Sequence, residues 1–286
     1  MTTFTLNDWK PSVPVTLTDD LTEEQLINFT AFKNWTSTLK TSLAQQSRAE
    51  HAFHHEPYQL KSIQIQAVDY FGGKRVGFIK LKAEVRNEKD EMLPGSIFLR
   101  GGSVAMLVIL QPDDVEMGTE QDKHVILTLQ PRIPAGSLSF AEIPAGMLDD
   151  SGSFAGGAAK ELAEETGLEI KQDELLDMTA LALDKDAQAE SGEALHKAVY
   201  PSAGGCDEFI PIFVYQKRIP RDQLKDWQGK LTGLRDHGEK ITLKLVALRD
   251  LWREGARDAK ALAAYALYQG LRAEGKIPAG EVKSSM

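Results

Sequence analysis

Cysteine is almost missing from this chain: Cys206 stands alone, so no intrachain disulfide can form and a reducing compartment is the expected setting. Long apolar runs are missing too, and no stretch would span a bilayer as a helix. The first residues, MTTFTLNDWKPSVPVTLTDDLTEE, hold no apolar core segment and turn acidic early. That disfavours a secretory, membrane or transit signal and predicts a cytoplasmic protein, with the nucleus as the other setting. The sequons at Asn28 and Asn34 then carry no meaning. Positive charge is in deficit, with 33 Lys and Arg against 42 Asp and Glu and a formal net charge of -9. Long-range repulsion opposes nucleic acid and anionic membranes as partners, so any phosphate site must be locally cationic or filled by metal.

What is present suffices for a full core. A chain of 286 residues with 42% hydrophobic residues predicts one large or two modest domains. No internal repeat or low-complexity tract stands out, and Ile277–Met286 reads as a mobile tail. Thr22 to about Gln46 reads as one helix: Thr22 and Gln25 form a capping box, and Leu26, Phe29, Phe32, Trp35, Leu39 and Leu43 recur at helical spacing. That apolar stripe suits a core or partner-facing surface. His51, His54 and His55 are irregularly spaced and without distant ligands, which favours a structural or solvated role over metal binding.

Strands are expected near Ile63–Ala67, Val76–Val85, Ser103–Leu110, His124–Leu129, Phe140–Ile143, Met178–Leu183, Phe209–Val214 and Ile241–Ala247. Helical segments follow and end near Leu271. Strands on both sides of an isolated helix predict an α/β (α+β) fold, a mixed sheet flanked by helices. A helix and antiparallel strands would fill residues 1–115, the mixed sheet with its helices 116–276 and the tail 277–286.

The isolated helix carries the chemistry. In Lys160-Glu161-Leu162-Ala163-Glu164-Glu165, three carboxylates crowd one side at spacings of three and four. Like charges so placed repel by a few tenths of a kcal/mol per pair, on the order of 0.2–0.5. A hard divalent cation reverses that sign, and Mg²⁺ shares its shell between carboxylates, water and substrate phosphate.

Gly146 through Leu168 resembles the Nudix hydrolase box: Gly, five residues, Glu, seven residues, then Arg-Glu-aliphatic-any-Glu-Glu-any-Gly-aliphatic. Gly146, Glu161, Leu162, Glu164, Glu165, Gly167 and Leu168 fit, while Gly152 replaces the first Glu and Lys160 the Arg. Over about residues 60–272 the chain is similar to the ADP-sugar pyrophosphatase branch. The patterns that carry this are Arg100-Gly101, Gln130-Pro131-Arg132, Glu142-Ile-Pro-Ala145-Gly146-Met, Ser202-Ala-Gly204-Gly205-Cys-Asp-Glu208 and Gly233 through Ile241.

The resemblance implies a Nudix-type fold and metal-dependent hydrolysis of a nucleoside diphosphate-sugar, ADP-ribose or ADP-glucose, to AMP and a sugar phosphate. It implies Mg²⁺, with Mn²⁺ as a substitute, held by Glu161 and Glu165, with Glu164 and the Ala145 carbonyl completing the shell and Glu208 as a further ligand. Arg132, Glu142 and Arg100 would contact substrate, and Glu239, with Glu164, would serve catalysis as base or transient ligand. It also implies a homodimer with exchanged N-terminal strands. The other readings are a Nudix fold that binds nucleotide ligands without turnover, and the same hydrolysis on NADH or dinucleoside polyphosphates. Three retained helix glutamates favour the enzyme. Cys206 has no His beside it in any local pattern, which argues against a thiol nucleophile.

Overall fold

This computed structural model describes residues 2–147, 154–166, 170–183, 192–233 and 240–278, and the side chains of residues 160–162 lie outside that description. The chain forms two compact units. The first comprises Met1–Gly102, Asp186–His196 and Ser202–Phe209, and the second Ser103–Lys185, Lys197–Pro201 and Ile210–Met286. No helix among the described residues is long and apolar enough to cross a membrane.

The first unit contains β1 (Thr3–Leu6), β2 (Val13–Thr16), α1 (Glu23–Asn28), α2 (Thr30–Ala44), β3 (Gln59–Phe71), β4 (Arg75–Arg86), β5 (Met92–Leu93) and β6 (Ser96–Leu99). Its sheet runs β1-β2-β3-β4-β5 with β6 also on β4, antiparallel apart from the β2 and β3 pair. Period-two alternation in β4 turns Ile79, Leu81, Ala83 and Val85 into the core.

The capping box at Thr22 and Gln25 forms as the sequence predicts, but the helix it starts is short. Phe29 is extended and splits the expected single helix into α1 and α2, because the bend lets Leu26, Ala31 and Phe32 all reach the core. Phe29, Trp35, Leu39 and Leu43 pack against that same core, so the apolar stripe is covered within its own unit. His51 Nδ1 accepts from the Phe53 amide at 3.1 Å, and the His54 ring bonds the Gln46 carbonyl at 3.0 Å. These contacts are structural.

The second unit contains β7 (Ser103–Pro112), β8 (His124–Arg132), β9 (Ser137–Glu142), β10 (Ala145–Met147), α3 (Phe154–Thr166), β11 (Leu176–Asp177), α4 (Met178–Ala182), β12 (Ile212–Ile219), β13 (Leu231–Thr232), β14 (Ile241–Ala247), α5 (Leu251–Glu254) and α6 (Ala259–Ala273). The order is β11-β12-β7-β8-β14-β13, with β10 on β7 and β9 on β8; β12 alone of these pairings is parallel, to β7. The sheet is therefore mixed and helix-flanked, as expected.

Central strand β7 is buried along its whole length, which explains its unbroken apolar run. Val104, Met106, Val108 and Leu110 face a cluster that includes Ala158 of α3, while Ala105, Leu107 and Ile109 face Ala261, Ala264 and Tyr268 of α6. Leu107 is fully buried. Leu107→Ala is expected to destabilise the protein by about 2–5 kcal/mol through lost transfer energy and a residual cavity, read from urea unfolding.

One strand expectation fails. Met178–Leu183 was to be a strand, but Met178–Ala182 is helical, because Asp177 caps it by accepting from the Ala180 amide at 2.9 Å and the Thr179 hydroxyl at 2.6 Å. A short apolar run has no periodicity to tell the two apart.

Candidate active site

The site is built where the ends of β8 and β9 meet β10 and the last turn of α3. Small residues Ala155, Ala158 and Ala159 face the sheet, letting the α3 backbone approach it closely. Glu165 consequently lies only 5% exposed. Its carboxylate accepts from the Ala145 amide at 3.1 Å and from Gln130 Nε2 at 3.2 Å, which ties the helix to β10 and β8. Its backbone carbonyl accepts from the Thr232 hydroxyl of β13. Glu164, one residue earlier, is half-buried, and its side chain makes no hydrogen bond among the described residues. Glu161 lies in the same helix with its side chain outside the described residues.

Proline cannot donate to a ladder, and the β8 to β9 register slips between Gln130 and Arg132, where Pro131 sits. The Arg132 side chain is 41% exposed and donates through Nε to Glu142 at 2.6 Å. Its terminal nitrogens donate to nothing among the described residues. Glu142 is 3% exposed and accepts at its second oxygen from Lys260 Nζ at 3.0 Å. Lys260 also donates to Asp258 at 2.9 Å, and Asp258 accepts from the Ile143 amide at 3.1 Å. Burial would push the Lys260 ammonium toward neutrality, but Asp258 and Glu142 outweigh it and hold its pKa above the usual lysine value.

Arg100, Cys206, Asp207 and Glu208 come together in the first unit. The turn at Ser202–Cys206 lays Gly205 along β6, whose Phe98 amide donates to the Gly205 carbonyl at 2.8 Å. Asp207 accepts from the backbone amides of Arg100 at 2.8 Å and Gly101 at 3.1 Å, and burial pushes its carboxyl up against the pull of those donors. Arg100 pairs with Glu208 at 2.9 Å. Gly204 and Gly205 have no positive φ, and a Cβ at either would meet nothing within 4 Å, so the turn does not itself demand glycine. The Cys206 thiol is pushed up by burial, the opposite of an activated nucleophile. Glu239 lies outside the described residues.

The NUDIX domain family matches residues 115–265. Nudix hydrolase 14, chloroplastic, of Arabidopsis thaliana is 37% identical over 262 residues, covering 90% of this chain and 75% of its own. The chain belongs to the Nudix hydrolases. A solved structure described as an ADP compounds hydrolase has a TM-score of 0.44 and 16% identity, covering 77% of this chain and 99% of its own.

A Nudix hydrolase generally uses a divalent metal such as Mg²⁺. The donor types suit a hard ion: Glu164 and Glu165 are consecutive carboxylates in the last turn of α3, and Glu165 meets the backbone of Ala145 through its amide, with no thiol or imidazole in these contacts. Among the described residues no group of three or more His, Cys, Asp or Glu is positioned to hold a metal. Glu161, which would complete the set, is not among those side chains.

Sequence reading missed Lys260, Asp258, Gln130 and Asp207 as parts of these constellations. Gln130 stood in a motif read only for its arginine. For Lys260 the available signal was a lysine in the first turn of a helix, where the dipole disfavours a cation.

Proposed function

We propose that this Nudix hydrolase cleaves the pyrophosphate bond of a nucleoside diphosphate-sugar, ADP-ribose or ADP-glucose, releasing AMP and a sugar phosphate with Mg²⁺ or Mn²⁺ bound. The observation that carries the reading is the tethered Arg132: its Nε is fixed by Glu142, and Gln130, two residues earlier on the same strand, contacts Glu165 of the box helix. A forked donor suited to phosphate oxygens is thereby held two residues along the strand from the contact to Glu165.

Glu161 and Glu165 would hold the metal, with Glu164 and the Ala145 carbonyl. The ion, when bound, supplies charge neutralisation at phosphoryl oxygens and a bound water of lowered pKa. Arg132 orients the diphosphate, and the buried Glu142 fixes Arg132. Gln130 and the Ala145 amide hold the Glu165 carboxylate in one orientation. Glu239 is proposed as the base or transient ligand that takes a proton from the attacking water. The preference is tested by kcat/KM over ADP-ribose, ADP-glucose, NADH and a dinucleoside polyphosphate with Mg²⁺ or Mn²⁺. ADP-sugars should lead, and a higher value for NADH or the dinucleoside polyphosphate overturns the assignment.

Lys160 stands where the family has Arg. Lys160→Arg is expected to leave kcat/KM equal or higher, because a planar fork holds carboxylate oxygens that an ammonium contacts at one point. A large loss of metal affinity by calorimetry would show a site rebuilt around Lys160.

A further inference from the structure

At the start of α6 a mostly buried lysine lies between two buried carboxylates. Asp258 is the N-cap of this helix and accepts from the Lys260 amide at 3.0 Å, so Lys260 sits in the first turn against the helix dipole. Its side chain is 16% exposed and lies between two carboxylates that are each 3% exposed. Asp258 also anchors the Ile143 amide, so the helix start is tied to the chain at Glu142 itself and at the residue after it. Charges alternate along the row Arg132, Glu142, Lys260, Asp258, which removes the repulsion that Glu142 and Asp258 would otherwise feel.

The consequence falls on Arg132. A carboxylate facing an arginine frequently closes a bidentate pair, holding two guanidinium nitrogens together. Here Lys260 holds the second oxygen of Glu142, and Arg132 makes a single contact through Nε. We propose that Lys260 is a positioning residue for substrate binding: by occupying one oxygen of Glu142 it keeps the terminal nitrogens of Arg132 for the substrate's phosphate oxygens. This rests on the reading of Arg132 as a phosphate contact. Without the ammonium, the freed oxygen would take a terminal nitrogen of Arg132 and the fork would be partly withdrawn from substrate.

A cycle of Lys260→Met and Arg132→Ala, singly and together, tests this with KM and kcat for ADP-glucose and the melting temperature of each variant. Lys260→Met should raise KM about 10–100-fold, the scale of losses behind a primary contact, with kcat within about threefold. In the Arg132→Ala background the same change should add less than about twofold to KM, because its route to substrate is gone. Full multiplication of the two effects, or an unchanged KM in Lys260→Met, overturns the proposal. If Arg132→Ala alone leaves KM within about threefold, the reading of Arg132 fails first, and that result stands apart because Lys260 is intact. Should Lys260→Met not fold, Lys260→Leu carries the cycle: it is shorter, apolar and without any donor for the Glu142 oxygen, and the same two outcomes decide.

Discussion

Glu165→Gln is expected to lower kcat by at least about 100-fold while the protein stays folded. The substitution preserves volume and removes one negative charge. Its effect on folding should be small for a local reason. The parent carboxylate accepts from the Ala145 amide and from Gln130 Nε2. A glutamine can still accept from Ala145 through its oxygen, and Gln130 can rotate its own amide to accept the new donor. Lost activity with an unchanged melting temperature would thus report charge at the metal site rather than packing. Turnover of ADP-glucose close to the parent rate would show that Glu165 is a buried structural acid, and the ligand assignment would fall.

The second large effect is expected at Glu239. Thr232 and Ile241 are register partners in β13 and β14, and the Thr232 hydroxyl bonds the Glu165 carbonyl. Thr232 thus lies beside the last turn of the box helix, seven residues before Glu239 in the sequence. Gly233, at φ 85°, lets the chain leave β13 in the left-handed region that other residues enter at a cost. If Glu239 acts in the transition state, Glu239→Gln should lower kcat strongly and leave KM within a few-fold. A kcat/KM within about threefold of the parent across pH, well under 1 kcal/mol, would remove Glu239 from the chemistry. Another carboxylate would then have to take the proton.

The contrast between residues that could be read in advance and those that could not has a physical basis. Strand β14 occupies the stretch expected of it, Ile241–Ala247, because alternation and flanking polar residues are local signals. The same holds for β7, whose apolar run announces burial on both faces. The box helix and its Ala145-Gly146 lead-in were legible because their residues are close in sequence. Partnership was not: Lys260 and Glu142 stand 118 residues apart, and only the packing of α6 on the sheet joins them. Sequence likewise presented Arg100 and Glu208 as separate contacts, whereas the fold pairs them. At Phe29 and Met178 the tertiary demand for burial and a capping aspartate overrode what periodicity suggested.

The central claim, metal-dependent hydrolysis across a pyrophosphate, is tested most directly by product analysis of ADP-glucose incubated with the protein in Mg²⁺ and again after chelation. AMP and glucose 1-phosphate should appear in equal amounts with Mg²⁺, and neither once the metal is removed. Release of ADP and free glucose, or undiminished turnover in excess chelator, would contradict it.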